Sequence, residues 1–111
     1  MRVLLDECLP RRLKQSLPGH EVRTVPEMGW ASKKNGELLG LAATRFDVFL
    51  TVDRNLSYQQ PVLRFDIALV VLRARGNRLK DLLPLVPAVL AELDGAVPGT
   101  VRHVPSEGTT R

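Results

Sequence analysis

Four carboxylates carry the chemistry open to this chain of 111 residues: Asp6 with Glu7 beside it, Glu37 and Asp53. Asp6 follows the apolar run Val3-Leu4-Leu5, and Asp53 follows Val48-Phe49-Leu50-Thr51-Val52. In an open parallel sheet, ligands bind in the crevice beyond the carboxyl ends of the strands. A charge at the end of a strand buried on both faces loses solvation unless it is paired or bound to a metal. If the two strands are neighbours, Asp6 and Asp53 lie side by side and repel each other. A hard cation such as Mg²⁺ or Mn²⁺ relieves that repulsion and takes oxygen ligands. Each acid also has a purely structural explanation. Asp6 would cap a helix that begins near Pro10, and Asp53 would cap the turn at Arg54-Asn55. Glu37 sits in the first turn of a helix, where the dipole favours an acid whatever its function. The chemistry that wants the whole set is metal-assisted phosphodiester hydrolysis. Arg11, Lys33, Lys34 and Arg54 are then the candidates to hold a phosphate backbone, with Asn55 beside them and Asn35 offering an amide oxygen.

The elements that position these residues are short. The first strand is Met1 to Leu5. Leu9, Leu13 and Leu17, at a spacing of four, predict a helix from Pro10 to about Leu17, closed by Pro18-Gly19. A second strand spans His20 to Val25 and stops at Pro26. Residues 27–34 read as a loop containing Trp30, and Ser32 or Asn35 caps a helix that carries Leu38, Leu39, Leu41, Ala42 and Ala43 as far as Arg45. The third strand is Asp47 to Val52, followed by a polar run through Tyr58-Gln59-Gln60 to Pro61 that reads as a loop or a single turn. Ile67 to Leu72 is the most continuous apolar run and belongs in the centre of a sheet. Leu79 to Leu93 reads as a last helix, either starting near Asp81 with Pro84 in its first turn or kinked. Thr100 to Val104 is a fifth strand. This order predicts a three-layer α/β/α domain with a mostly parallel sheet of four to five strands and right-handed crossovers. One domain is expected over residues 1–105, with 106–111 a disordered tail.

Composition bounds the class. Apolar residues make up 44% and charged residues 25%, as in an ordinary globular protein. Cys8 is the only cysteine, which excludes an internal disulfide and suits a reducing compartment. No run approaches the ~20 apolar residues of a membrane span, and no signal-peptide pattern opens the chain, so a cytoplasmic, membrane-free protein is expected. The net charge is +4 and the isoelectric point about 9.8. The cations are spread over Arg11-Arg12-Lys14, Lys33-Lys34 and Arg73-Arg75-Arg78-Lys80, either a solvated basic surface or the footprint of a nucleic acid. His20 and His103 are far apart and read as surface residues. Cys8 is either a thiol activated at a helix N-terminus or a small buried residue. Trp30 either stacks on a base or packs.

Val3 to Pro10, Gly36 to Ala42 and Val48 to Leu56 together resemble the short stand-alone PIN-like proteins, relatives of the toxin ribonucleases of toxin–antitoxin pairs. The resemblance covers roughly residues 1–75. It implies a PIN-like fold and a Mg²⁺- or Mn²⁺-dependent endoribonuclease, with Asp6 and Asp53 as central metal ligands, Glu37 as third acid and Glu7 adjoining them. It further implies RNA as substrate and an antitoxin protein or a second copy as partner. The chain departs from the pattern in having Asn35 where many short relatives carry an acid, and no fourth acid follows Asp53, since Asp66 precedes a strand. A PIN-like module that binds RNA or a protein partner without catalysis is therefore the second reading. A phosphoacceptor receiver domain shares the acidic pair and the later aspartate, but its chemistry needs a hydroxyl residue after the fourth strand and a lysine after the fifth. This chain has Arg73 and Pro105-Ser106 there.

Overall fold

Val3 to Leu5, Val48 to Leu50 and Ala68 to Leu72 are buried throughout, so these three segments have no face for water and require cover on both sides. The computed structural model, described over residues 1–54 and 64–105, meets that requirement with one five-stranded sheet. Strands β1 (Arg2–Leu5), β2 (Glu21–Thr24), β3 (Val48–Thr51), β4 (Ala68–Leu72) and β5 (Val101–Val104) run parallel in the order β2-β1-β3-β4-β5. The three apolar segments are the three inner strands. The edge strand β2 alternates instead, burying Val22 and Thr24 and exposing Glu21 and Arg23.

The register sorts the core into two faces. Val3, Val48 and Ala68 stand across from one another, as do Leu5, Leu50 and Val70. These pack with Leu9, Leu13 and Leu17 and with Leu82, Val89 and Leu93. Leu4, Phe49 and Leu69 point the other way, under Leu38, Leu39 and Ala42 of helix α1 (Asn35–Arg45). The result is an α/β fold with helical layers on both sides of the sheet. None of the helices among the described residues is long and apolar enough to cross a membrane.

Two connections differ from expectation, and the last helix takes the kinked one of its two expected forms. The segment after Pro10 is a 3-10 turn, Arg11–Ser16, closed by i→i+3 bonds from Leu13 N to Pro10 O and from Leu17 N to Lys14 O. Pro10 itself is extended (φ −70°, ψ 140°), and Pro18 pushes Leu17 out of the helical region (φ −120°, ψ 61°), so only a short coil fits between them. The last helix is divided into α2 (Leu79–Leu82), a 3-10 turn at Leu83–Leu85 and α3 (Val86–Asp94). Pro84 sits in the turn and Pro87 in the first turn of α3, the two places where a missing N–H does least harm. Finally, not every crossover has the same hand. β5 lies beyond β4 in the same direction that β3 lies beyond β2, yet α1 crosses one face and α2–α3 the other. The β4–β5 crossover is thus opposite in hand to the β2–β3 crossover.

Helix α1 begins at Asn35 with Lys34 as its N-cap, and neither Ser32 nor Asn35 supplies a capping side chain at that position. Trp30 packs edge-on against Phe46, with ring centroids 6.2 Å apart at 84°, and joins the α1 core.

Candidate functional site

The pairing of β1 with β3 sets the geometry of the acids. Leu5 stands opposite Leu50, and Asp6 N donates to Leu50 O at 2.9 Å, so the residue level with Asp6 is Thr51. Asp53 lies two positions further along, past the end of β3, and the two acids do not stand directly side by side as their positions in the sequence suggest. Thr51 links them. Its fully buried hydroxyl donates to Asp6 Oδ2 at 2.6 Å and accepts from Asp53 N at 3.0 Å. The carboxylate of one acid and the backbone of the other are therefore fixed by a single side chain.

The rest of the Asp6 environment is local. Asp6 Oδ1 accepts from Glu7 N at 2.8 Å, and Asp6 O accepts from Leu9 N at 2.9 Å. Asp6 does not cap the following turn, whose N-cap is Pro10. Its carboxylate is instead half-buried and turned toward β3. Cys8 Sγ lies 3.5 Å from Asp6 Oδ2 and 3.8 Å from Thr51 Oγ1. Burial pushes the Cys8 thiol above its ordinary value, and the Asp6 charge adds to the rise even though the Val52 backbone opposes it. Cys8 is thus a protonated donor to Asp6, and the activated thiolate is disfavoured.

The other candidates spread along the same edge. Glu7 is exposed beside Asp6. Glu37 is exposed in the first turn of α1, with Oε2 3.7 Å from Lys33 Nζ. Lys34 and Arg54 are exposed, and Asn35 is half-buried at the start of α1. Arg11 and Arg12 line a shallow basic recess of about 280 Å³ on the first 3-10 turn. Asn55 and Tyr58-Gln59-Gln60 lie outside the described residues. Among the described residues, no three of His, Cys, Asp and Glu converge as a ready metal cage. His20 is remote, its ring nitrogen 3.3 Å from the N-terminal ammonium.

Two features of the site are hidden from sequence reasoning. One is Thr51, which looks like an ordinary strand residue because only the register reveals its neighbour. The other is the segment after β4. Asn77 Nδ2 donates to Cys8 O at 3.0 Å, so the basic segment after β4, with Arg73 and Arg75 in the loop and Lys80 in α2, is tied to the Asp6 loop. The Arg73-Arg75-Arg78-Lys80 spacing is the available signal, but its distance from Asp6 in sequence conceals the connection.

Acids thus follow two adjacent parallel strands at the carboxyl edge of the sheet, and a further acid lies in the first turn of α1, an arrangement of the α/β class with helices on both faces. The family model described as a PIN-like domain matches residues 1–72, and the chain belongs to that family. PIN-like domains are commonly nucleases and generally depend on divalent metal. That membership replaces the receiver-domain alternative. Neither the curated proteins nor the solved structures contain a match to this chain.

Proposed function

We propose that this PIN-like domain is a divalent-metal-dependent endoribonuclease, with Asp6 and Asp53 as ligands for Mg²⁺ or Mn²⁺ at the carboxyl edge of β1 and β3. The observation that carries the reading is the Thr51 hydroxyl, which holds Asp6 Oδ2 at 2.6 Å and Asp53 N at 3.0 Å. A buried side chain that fixes the carboxylate of one acid and the backbone of the other has the character of an outer-shell support for a metal site. The donor set also fits: Mg²⁺ keeps several waters and needs only one or two carboxylates plus substrate phosphates. When bound, the cation would supply Lewis acidity toward a phosphoryl oxygen and offset the repulsion of the two acids. Glu37 joins as third acid once its exposed pair with Lys33 opens, a pair that contributes little to stability. Glu7, exposed beside Asp6, is a further candidate ligand, and Asn35, Lys33, Lys34, Arg11 and Arg54 are candidates for substrate contact. As a toxin, the protein would be held by an antitoxin covering this edge.

The test is titration calorimetry with Mn²⁺ together with cleavage of single-stranded RNA. Wild-type protein is expected to bind the ion and to cleave in a chelator-sensitive way, and Asp6→Asn and Asp53→Asn are each expected to lose both properties. Unchanged ion binding in both variants overturns the assignment. The scarcity of converging acids among the described residues favours one second reading, an RNA-binding module without hydrolysis. Chelator-resistant RNA binding with no cleavage at any metal concentration would select it.

A further inference from the structure

We propose that the segment from the end of β4 into α2 holds the RNA backbone, with Arg75 and Lys80 contacting phosphates; this rests on the nuclease reading for its substrate class. Arg73, Arg75 and Lys80 line a cavity of about 300 Å³ together with the apolar Ala74, Pro84 and Leu85. A lining that mixes cations with apolar surface suits a nucleotide, with phosphate against the charges and ribose or base against the carbon surface. Asp81 is the one acid in the lining among the described residues, so positive charge remains in excess. The loop is held in place from within and from without. An added Cβ at Gly76 would meet Asp81 Oδ2 at 2.7 Å, which shows how tightly the loop folds on the start of α2. The Asn77–Cys8 bond then fixes the loop two residues from Asp6 in sequence. On the α1 side, Lys33 is paired with Glu37. The geometry therefore routes the strand across the β4 side of the edge, over the face shared by the first 3-10 turn and α2.

The experiment measures binding of a labelled short single-stranded RNA in chelator, so that no cleavage or metal is needed. The double variant Arg75→Gln/Lys80→Gln is expected to weaken binding by roughly tenfold. It should also flatten the slope of log affinity against log salt by about 1.4, at ~0.7 for each single-strand phosphate no longer neutralised. A control pair of equal charge change, Arg23→Gln/Arg45→Gln, lines a separate cavity at the opposite side of α1 and should leave the slope near wild type. Thermal melts confirm that both pairs fold. An unchanged slope in the loop variant, equal losses in both variants, or no RNA binding by wild-type protein overturns the inference. If wild-type protein binds RNA through the loop but Asp6→Asn leaves Mn²⁺ binding intact, the nuclease reading fails while this one stands.

Discussion

Thr51 is the residue on which the candidate site turns, and it makes a sharp prediction. Its hydroxyl is fully buried and meets both a carboxylate and a backbone N–H. Thr51→Val keeps the shape and removes both bonds, which leaves Asp53 N without that acceptor and Asp6 Oδ2 without its closest donor. Breaking such a pair inside a protein costs about 1–3 kcal/mol. The variant should therefore unfold at lower urea by that margin and bind Mn²⁺ more weakly, whereas Thr51→Ser retains the hydroxyl and restores most of both. A Val variant that matches wild type in urea and in calorimetry would show that the hydroxyl does not organise the acids. Asp6 and Asp53 stand out in the sequence because each closes a largely apolar run, where a charge loses solvation. Thr51 is not legible, because strand register depends on how β1 and β3 align and no local pattern encodes that alignment.

At the scale of elements, Glu27 is the clearest example of a signal present in the sequence and easily passed over. Residues 27–34 read as loop, yet Thr24-Val25-Pro26-Glu27 has the T-x-x-E form of a capping box. The structure uses it. Glu27 N donates to Thr24 Oγ1 at 3.2 Å, Thr24 N donates to Glu27 Oε1 at 2.9 Å, and a 3-10 turn spans Pro26–Met28. Lys14 from the first 3-10 turn completes the joint, with Nζ 2.8 Å and 3.0 Å from the two carboxylate oxygens. Lys14 first, then the Thr24 backbone, hold the Glu27 carboxyl down at about 2, from an ordinary 4.5. A depressed folded value means that the ionised form stabilises the native state above the unfolded value. That contribution is lost as pH falls from about 4.5 toward 2. Glu27→Gln should therefore be less stable than wild type at neutral pH, and the gap should close across that acid window in urea titrations at stepped pH. A gap independent of pH would assign the effect to packing alone. The proline-split end helix teaches the same point: Pro84 and Pro87 announce a break, but only the packing of Leu82, Val89 and Leu93 onto the sheet decides where it falls.

At the scale of the whole molecule, the family match ends at residue 72, the last residue of β4, and the fold does not. The parallel α/β architecture is readable from the sequence because inner strands must be apolar throughout and edge strands must alternate. The hand of the final crossover, which places α2 and α3 over the same face as the first 3-10 turn, has no such local signature. That placement has an energetic consequence. Leu82, Val89, Leu93 and Val104 are all nearly inaccessible, and they seal the face formed by Val3, Leu5, Leu50, Val70 and Leu72. Burial of each such side chain is worth about 1.5–3 kcal/mol, or about 6–12 kcal/mol for the four. Net stability of an ordinary domain is only about 5–15 kcal/mol. The matched segment thus depends on α2, α3 and β5 for its cover. A chain ending at Leu72 should show no cooperative urea transition by circular dichroism, while one ending at Pro105 should unfold like the full chain. The Asn77–Cys8 bond extends the dependence to the candidate site, because the part that completes the core is also tied to the turn that follows Asp6. Cooperative unfolding of the 1–72 fragment would mean that the sheet can seal itself with the first 3-10 turn and α1 alone, and that β5 and its helices are an addition to an already stable unit.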